Sequence, residues 1–511
     1  MLATAHATTL VGLDAHPVRV EVACSRGPGS FEIVGLPEAS VRESRVRVGS
    51  ALAQLGLYLG EHRITVNLAP ADLRKTGTAF DLAIAAAALA ALGRIPAPAL
   101  DDTLLLGELS LTGELRGVRG VLPSLLGARS LGLRRAILSR RNEQEAGVVQ
   151  GLATFVADDL AQVAAHLGGG ASLALAEARS NHAPGAESVD LAEVRGQHGA
   201  RRALEIAAAG AHNLLFLGPP GAGKTMLARR LPTLLPPLAF DEAIEASMIH
   251  SVAGLLSPER GLLAARPFRA PHHTVSEVGL VGGGDPPRPG EVSLAHHGVL
   301  FLDELAEFRR GALEALRQPL EDGEVCIARA RARATFPARP IVVAATNPCP
   351  CGWAGDPSGR CACSADRVRA YRGRLSGPLL DRIDLHVALP AVDVTSLAAR
   401  VGGEPSAEVR ARVARARDVQ RARHAQGLVK ATTNAALSAA EVERVATPDD
   451  AGLRLIASAV ERLGLSARAY GKILRAARTI ADLDGQTAVR AAHVAEAIQA
   501  RLLDRAVTAR A

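Results

Sequence analysis

Apolar and polar segments alternate along this chain in a way that predicts three structural regions. In residues 1–167, short apolar runs such as VRVEVAC and RITVNLAP alternate with longer runs of helical period, which is typical of an α/β domain. Small and polar residues dominate residues 168–190, where we expect a linker. A second α/β block covers residues 191–394, and residues 395–511 carry mainly helical patterns.

The longest apolar run, LAIAAAALAAL at residues 82–92, predicts a buried helix because it is too short to cross a bilayer. The first residues, MLATAHATTLVGLDAHP, lack the charged start and apolar core of a signal peptide. We therefore expect a cytoplasmic protein with no membrane partner.

The C-terminal region predicts capped, amphipathic helices. Ser438 and Glu441 form a capping box at the start of one helix. In the segment SARAYGKILRAARTIADL, helical spacing separates two faces. The apolar face holds Tyr470, Ile473, Leu474 and Ala477, and the basic face holds Arg468, Lys472 and Arg475.

The composition is that of a globular chain with a basic excess. Hydrophobic residues make up 48% and charged residues 22% of the 511 residues, and the net charge is +7. That charge suits a polyanionic partner but does not identify one. Aromatic residues are only 3%, so few side chains are available to stack on nucleic-acid bases.

One motif predicts a nucleotide-binding site. NLLFL, GPPGAGKT and MLARRL follow one another as strand, glycine-rich loop and helix, the arrangement that cradles phosphates with backbone N–H groups. Lys224 is one of only four lysines among 59 basic residues, and we expect its compact ammonium to contact the phosphates of ATP. Thr225 is expected to ligate Mg²⁺. The predicted ATP-binding residues are Gly218, Pro219, Pro220, Gly221, Ala222, Gly223, Lys224 and Thr225.

Two later strands end in polar residues that suit the same site. GVLFLDE places Asp303 as a second Mg²⁺ ligand and Glu304 as the base that activates the attacking water. PIVVAATNP ends in Asn347, which we expect to orient that water, although simple turn chemistry before Pro348 is the alternative.

With these motifs in place, the chain resembles the ComM/YifB-type magnesium-chelatase-like AAA+ ATPases. The resemblance also rests on GLPEASVRESRVRV, FRAPHHT, NPCPCG, SGPLLDRIDLHV and SARAYGKILRAARTIADL, and it covers nearly the whole chain. It implies a Lon-protease-like (ribosomal S5 domain 2-like) α/β domain in residues 1–167. It further implies an AAA+ core with a parallel sheet in residues 191–394 and an all-α lid in residues 395–511.

The resemblance also implies an activity. Such proteins form homo-hexameric rings with ATP between neighbours, and the ComM type is a DNA helicase that promotes branch migration during homologous recombination and natural transformation. By motif, Arg382 resembles the arginine finger that reaches the neighbour's γ-phosphate, and Arg468 resembles the sensor-2 arginine of the lid. Without the motif, either arginine would be interpreted as a surface charge.

Two departures limit what can be transferred. Where a Lon-type protease needs a nucleophilic Ser and a Lys, this chain has Ala79 and Leu122, so we do not expect proteolysis. The integrin-like motif D-x-S-x-S that marks a chelatase partner does not occur. A chelatase-like or protein-remodelling ATPase remains the alternative function, and a module without ATPase activity is disfavoured by Lys224, Asp303 and Glu304.

The segment GEVCIARARARATFPARPIVV predicts a hairpin inserted before the Asn347 strand. On one extended strand, Arg329, Arg331 and Arg333 would point the same way and could contact successive DNA phosphates. A solvated edge strand is the equally weighted alternative. His272 and His273 lack a third ligand at metal-binding spacing, which favours a structural or pore-loop role.

The last candidate site is a cluster of cysteines directly after Asn347. Cys349, Cys351, Cys361 and Cys363 could provide four thiolates for a structural Zn²⁺. The C-x-C spacing is tighter than usual for zinc, and four unligated cysteines in a packed loop are the alternative.

Overall fold

A computed structural model describes residues 1–178, 189–329, 332–356, 359–391 and 403–501 of the chain. It contains an N-terminal α/β domain, an α/β domain with a parallel sheet and a helical C-terminal region, which confirms the predicted fold class. Among the described residues, no helix combines the length and the apolar character needed to cross a membrane.

The N-terminal domain is built on an eight-stranded sheet in the order β10-β9-β8-β5-β1-β2-β4-β3. Its longest strands, β1 and β2, form an antiparallel hairpin. The strands are β1 (Leu2–Val11), β2 (Asp14–Arg26), β3 (Ser30–Val34), β4 (His62–Ala69), β5 (Thr103–Leu106), β6 (Glu108–Leu109), β7 (Leu115–Arg116), β8 (Arg135–Ser139), β9 (Ala153–Ala157) and β10 (Ala174–Leu175). The helices are α1 (Ala39–Arg42), α2 (Ser44–Gln54), α3 (Asp81–Ala91), α4 (Val121–Ser130), α5 (Glu143–Ala146) and α6 (Leu160–Leu167).

Strand β10 lies inside the segment predicted to be a linker, so the N-terminal domain extends further than expected. Ala174 and Leu175 pair with β9, because the chain after α6 turns back along the edge of the sheet. Of the segment 168–190, residues 179–188 lie outside the described part of the chain.

Helix α3 confirms the buried helix predicted from the apolar run. All of its residues are buried, including Asp81 at its first position. The Arg47 guanidinium bonds both carboxylate oxygens of Asp81 at 2.6 and 3.0 Å, so the buried charge is compensated. Ala79 packs against the core that contains Leu122; these are the two residues expected at the positions of the protease dyad, and neither side chain can act as nucleophile or base.

The second domain carries a five-stranded parallel sheet in the order β12-β15-β18-β11-β19. Its strands are β11 (Leu214–Leu217), β12 (Phe268–Arg269), β13 (Gly282–Gly283), β14 (Arg288–Pro289), β15 (Val299–Leu302), β16 (Glu324–Arg329), β17 (Ala332–Pro337), β18 (Ile341–Thr346) and β19 (Leu385–Ala388). Its helices are α7 (His198–Gly210), α8 (Lys224–Ala228), α9 (Leu231–Leu234), α10 (Phe240–Ala253), α11 (Glu277–Val281), α12 (Glu291–Leu294), α13 (Arg310–Ala315), α14 (Arg317–Asp322), α15 (Ala365–Arg372) and α16 (Gly377–Leu380).

Two small hairpins are inserted in this domain: β13–β14, which lies between β12 and β15 in sequence, and β16–β17, which precedes β18. The second is the predicted insertion. Arg329 of β16 pairs with Ala332 of β17, so Arg329 and Arg333 lie on opposite strands. The expectation that Arg329, Arg331 and Arg333 share one extended strand is therefore wrong. Arg331 itself lies outside the described residues.

The C-terminal helices pack directly on the second domain. Val413 of α17, Ile473 of α20 and Val494 of α21 share one hydrophobic core with Leu204 and Phe216 of the sheet domain. The helices are α17 (Ser406–Ala425), α18 (Ala439–Val445), α19 (Asp450–Leu463), α20 (Ala467–Leu483) and α21 (Ala491–Gln499).

The sequence predicts a capping box and a basic helix face in this region. The capping box of Ser438 and Glu441 is confirmed at the start of α18. On α20, Lys472 of the predicted basic face is ion-paired: its ammonium is 2.7 Å from the carboxylate of the buried Asp384.

The N-terminal domain contacts the second domain through side chains as well as backbone. Glu145 accepts a hydrogen bond from the Leu122 backbone N–H at 2.8 Å and another from the Ser251 hydroxyl of α10. Elsewhere, Arg74 bonds Asp285, at the tip of the β13–β14 hairpin, at 2.9 Å. The N-terminal domain is thus attached both to α10 and to the first inserted hairpin.

Candidate functional site

The glycine-rich loop joins β11 to α8 with the geometry that a phosphate cradle requires. Gly221 and Gly223 have φ values of +77° and +86°, which side-chain-bearing residues rarely adopt. At Gly218, a Cβ atom would lie 2.7 Å from the Leu389 carbonyl oxygen, so only glycine fits between the loop and the end of β19. The predicted loop Gly218–Thr225 therefore has the local shape expected from its sequence.

Lys224 lies at the centre of this loop. Its Nζ donates to the carbonyl oxygens of Gly218 and Pro219 at 2.7 and 2.9 Å and to Oδ1 of Asn347 at 2.9 Å. Burial lowers the pKa of Lys224, and the carboxylates of Asp303 and Glu304 partly oppose that shift. The ammonium is held by neutral oxygens that a nucleotide phosphate can replace, which fits ATP.

Thr225 and Asp303 provide the oxygen ligands that Mg²⁺ prefers. Thr225 Oγ1 donates to Asp303 Oδ2 at 2.7 Å, and both residues border the cradle. The contact brings the first turn of α8 against the end of β15, as predicted. These two residues fit the ion that the family implies.

Glu304 follows Asp303 in a left-handed backbone conformation with φ of 52°. The turn is held by a 2.9 Å hydrogen bond from the Glu304 N–H to Oδ1 of Asp303. The Glu304 side chain is about half exposed, as a base that must meet water should be. Its exposure and its position next to Asp303 suit the predicted role.

The sequence interpretation did not foresee that His273 contacts Glu304. Nδ1 of His273 lies 3.1 Å from Oε2 of Glu304. The contact arises because β12 pairs with β15 in the sheet, so the residues after both strands meet at one edge. Strand β12 is only two residues long, and no periodicity in the sequence could have revealed it.

The four cysteines come together as the zinc interpretation requires. Their sulfur atoms all lie within 4.8 Å of one another, and the Cys349–Cys351, Cys349–Cys361 and Cys351–Cys361 separations are 3.3, 3.9 and 3.7 Å. Tetrahedral Zn²⁺ with thiolates at about 2.3 Å sets its sulfurs about 3.8 Å apart. A hydrogen bond from the Trp353 backbone N–H is the main reason that the pKa of Cys351 is lowered, to about 6. The donor set fits zinc.

The cysteine loop also touches the phosphate loop. Gly352 has a φ of +84°, and a Cβ atom there would lie 2.4 Å from Cδ of Pro220. Any side chain at this position would push the two loops apart. The cysteine loop is therefore in a position to support the phosphate cradle.

Glu245, His296 and His297 form a second compact group of possible metal ligands. Oε2 of Glu245 lies 3.1 and 2.8 Å from Nε2 of His296 and His297, and hydrogen bonding from His296 is the largest cause that lowers the pKa of Glu245, to about 2. The backbone N–H of Arg339 donates to Nδ1 of His296, so the proton of the neutral ring is on Nε2. That nitrogen cannot also ligate a metal, and the group is a hydrogen-bonded network.

Arg382 and Arg468 lie apart from the phosphate loop of their own chain. Both line an open cleft of about 1440 Å³ between the sheet domain and the C-terminal helices, and no residue of the loop Gly218–Thr225 lines it. Arg382 pairs with Glu321 and donates to the Pro378 carbonyl at 2.8 Å, whereas Arg468 is exposed. The described hydrogen-bond partners of Arg382 lie outside the loop Gly218–Thr225.

Of the three arginines predicted to hold DNA, only Arg333 can be placed with its side chain. It is exposed on β17, and its Nε donates to Sγ of Cys326 at 3.1 Å. Arg329 ends β16 on the opposite strand. Both residues belong to the β16–β17 hairpin.

Family models match the chain in three consecutive blocks. "Subunit ChlI of Mg-chelatase" matches residues 20–142, "Magnesium chelatase, subunit ChlI" matches residues 190–397, and "Magnesium chelatase, subunit ChlI C-terminal" matches residues 403–501. The blocks follow the three regions of the structure.

Similar proteins extend over the full length. The chain is 45% identical to competence protein ComM of Haemophilus influenzae over 99% of this chain and 98% of the relative. It is 43% identical to YifB of Escherichia coli over 99% and 98% of the two chains. The N-terminal part is also 27% identical to Lon protease 2 of Bacillus subtilis over 142 residues, 25% of each chain. With full-length identity of this degree and a complete phosphate-binding site, the chain belongs to the ComM/YifB family of magnesium-chelatase-like AAA+ ATPases.

Proposed function

We propose that this protein is a ring-forming ATPase that moves DNA and promotes branch migration during homologous recombination and natural transformation. The observation that carries the proposal is that Arg382 and Arg468 line a cleft to which Lys224, Asp303 and Glu304 do not contribute. One copy carries the phosphate cradle and, in a separate cleft, the two arginines. Neighbouring copies in a closed ring, a homo-hexamer by family likeness, would bring the two halves together.

In the proposed reaction, Glu304 accepts a proton from the water that attacks the γ-phosphorus, and Asn347 orients that water. Lys224 exchanges the loop carbonyls for phosphate oxygens as ATP enters. Bound Mg²⁺, held by Thr225 and Asp303, would offset the negative charge of the phosphates. Arg382 of the next copy stabilises the negative charge that develops as the bond between the γ-phosphorus and ADP breaks. Arg468, on the C-terminal helical lid, contributes positive charge to the same phosphates.

The proposed DNA contact is the β16–β17 hairpin. Arg333 is exposed there, and Arg329 ends the paired strand β16. Arg331 is the third arginine that we propose for this contact. A ring of such hairpins would place guanidinium groups along the DNA backbone and bind without sequence preference. The name of the Haemophilus influenzae relative, a competence protein, supports a role in DNA uptake. We place this function in the cytoplasm, where cysteines stay reduced.

We also propose that Cys349, Cys351, Cys361 and Cys363 hold a structural Zn²⁺ that keeps Gly352 against Pro220. With four thiolate ligands the ion would have no open position for substrate. The ion would affect ATP binding indirectly, by holding the phosphate loop in its binding conformation.

A second candidate is a chelatase-like or protein-remodelling ATPase, which the family models named for magnesium chelatase favour. The experiment that separates the candidates measures ATP hydrolysis with and without DNA at several salt concentrations, together with branch migration of a synthetic four-way junction. The DNA proposal predicts stimulation that declines steeply with salt. No binding, no stimulation and no ATP-dependent migration would favour the second candidate.

A further inference from the structure

The turn between β1 and β2 reaches from the N-terminal domain to the β16–β17 hairpin. Gly12, in this turn, has a φ of +67°, and a Cβ atom there would lie 3.1 Å from Cβ of Ala334 and 3.4 Å from the carbonyl oxygen of Thr335 on β17. The flanking residues Val11 and Leu13 pack against the hydrophobic core that contains Ala334. The turn therefore lies closely against one strand of the hairpin.

This contact lies behind one of the arginines proposed to bind DNA. Successive side chains of a strand point to opposite faces, so Arg333 points away from the face on which Ala334 packs. Accordingly, Ala334 is buried and Arg333 is exposed. The turn thus supports the back of the strand whose front presents Arg333.

The hairpin needs support from outside its own two strands. Within the described residues, β16 and β17 form a separate two-stranded sheet, and such a hairpin alone is at best marginally stable in water. Its apolar side chains Val325, Ile327 and Phe336 are buried in the same core that the turn joins. Burial of apolar surface therefore fixes the hairpin, and Val11 and Leu13 contribute part of that surface.

The N-terminal domain also holds the other inserted hairpin, β13–β14, through Arg74. Its guanidinium is 2.7 Å from Glu38 of its own domain and 2.9 Å from Asp285, between β13 and β14. Arg74 and Asp285 are both exposed, so their ion pair contributes little free energy. The two hairpins touch as well, since a Cβ atom at Gly282 would lie 3.0 Å from Cδ1 of Ile327. The apolar β1–β2 turn is therefore the stronger of the two attachments.

From this geometry we propose that the β1–β2 turn of the N-terminal domain positions the β16–β17 hairpin for DNA, with Val11, Gly12 and Leu13 as the positioning residues. The inference rests on the proposed function, which supplies DNA as the client. A hairpin that is already held in one orientation loses less conformational freedom when it binds, so its affinity for DNA is higher. The contacts named here do not involve Lys224 or Glu304, and the turn acts on DNA binding without altering the nucleotide site.

The test places asparagine at Gly12 in the full-length protein. Asparagine tolerates a left-handed backbone, so Gly12→Asn costs little in the turn itself but pushes against Ala334 of the hairpin. The matched control is Gly56→Asn, because Gly56 lies in the same domain with a φ of +75° and a Cβ atom there would meet nothing within 4 Å.

We expect Gly12→Asn to speed amide hydrogen exchange in β16–β17 and to weaken DNA binding several-fold at fixed salt concentration. Its affinity for ATP and its ATPase rate without DNA should stay at the wild-type values. Gly56→Asn should match the wild type in all four measurements.

Hydrogen exchange makes the test independent of the identity of the client. Unchanged exchange in Gly12→Asn, or the same increase in Gly56→Asn, would overturn the positioning role. Unchanged DNA affinity despite faster exchange, or an equal loss of ATP affinity, would overturn it too. If the wild type binds no DNA while Gly12→Asn still speeds exchange in the hairpin and Gly56→Asn does not, the turn holds the hairpin and the proposed client is wrong.

Discussion

Thr225 Oγ1 donates a hydrogen bond of 2.7 Å to Oδ2 of Asp303, a residue 78 positions further along the chain. Their strands, β11 and β15, are not neighbours, because β18 lies between them in the sheet. The contact therefore links the loop after β11 to the end of β15, across the end of β18, and holds the two sides of the nucleotide site together. Asn347, at the end of the middle strand, fills the space between by bonding Lys224.

This arrangement predicts that binding and hydrolysis can be separated. Glu304→Gln keeps the size of the side chain but removes its charge, so ATP should bind with near-normal affinity while turnover falls at least about 100-fold. Lys224→Ala should instead weaken binding. Nucleotide titration and steady-state hydrolysis measure the two effects, and a Glu304→Gln protein that hydrolyses ATP normally would remove this residue from the mechanism.

The cysteine cluster predicts a defined metal content. Purified protein should contain about one zinc per chain, and Cys361→Ser should lose it and lower the affinity for ATP through the Gly352–Pro220 contact. Cys326→Ser, outside the cluster, is the matched control. Elemental analysis decides the point, and a wild-type protein without zinc after expression in zinc-replete medium would leave the four cysteines unligated.

Asp384 and Lys472 form a buried ion pair between the sheet domain and α20. Burial opposes ionisation, but the Lys472 ammonium and His212 hold the pKa of Asp384 well below its usual range. Asp384→Asn should cost about 3–5 kcal/mol of unfolding free energy because it leaves an uncompensated buried charge. The double variant Asp384→Asn, Lys472→Met should recover part of that loss in urea unfolding. A single variant as stable as wild type would show that the pair is not coupled.

The capping box at α18 predicts a pH dependence. Backbone N–H groups, that of Ser438 first, lower the pKa of Glu441 from 4.5 to about 2. A lowered folded-state pKa stabilises the fold above the unfolded value, and this stabilisation is lost as pH falls from about 4.5 toward 2. Glu441→Gln should therefore cost about 1 kcal/mol at pH 7 and progressively less below pH 4.5. Urea midpoints at several pH values check this, and a difference that grows in acid would contradict it.

Much of the nucleotide site could be predicted because its motifs are local. A strand, a glycine-rich loop and a helix specify Gly218–Thr225 without distant contacts, and the apolar strands that precede Asp303 and Asn347 place those residues at one edge of a parallel sheet. The buried helix α3 and the capping box of Ser438 follow from equally local patterns.

Long-range partners could not be predicted in the same way. The Glu304 contact with His273 depends on a two-residue strand, and the Lys472 contact depends on where α20 packs against Asp384. The arginine pattern around Arg331 suggested a continuous strand because a period of two does not reveal where a hairpin turns. The predicted linker starts before the end of the N-terminal domain. An edge strand as short as Ala174–Leu175 leaves no periodic signal in the sequence, so its position could not be predicted.

The central claim is that each nucleotide site is completed by the neighbouring copy. Lys224→Ala disables the cradle and Arg382→Ala disables the finger, so each variant alone should hydrolyse ATP very slowly. Equal amounts of the two, mixed under conditions of subunit exchange, should regain about a quarter of wild-type activity, because one junction in four pairs an intact cradle with an intact finger. Full activity of Arg382→Ala alone, or no recovery in rings shown to contain both variants, would contradict the claim.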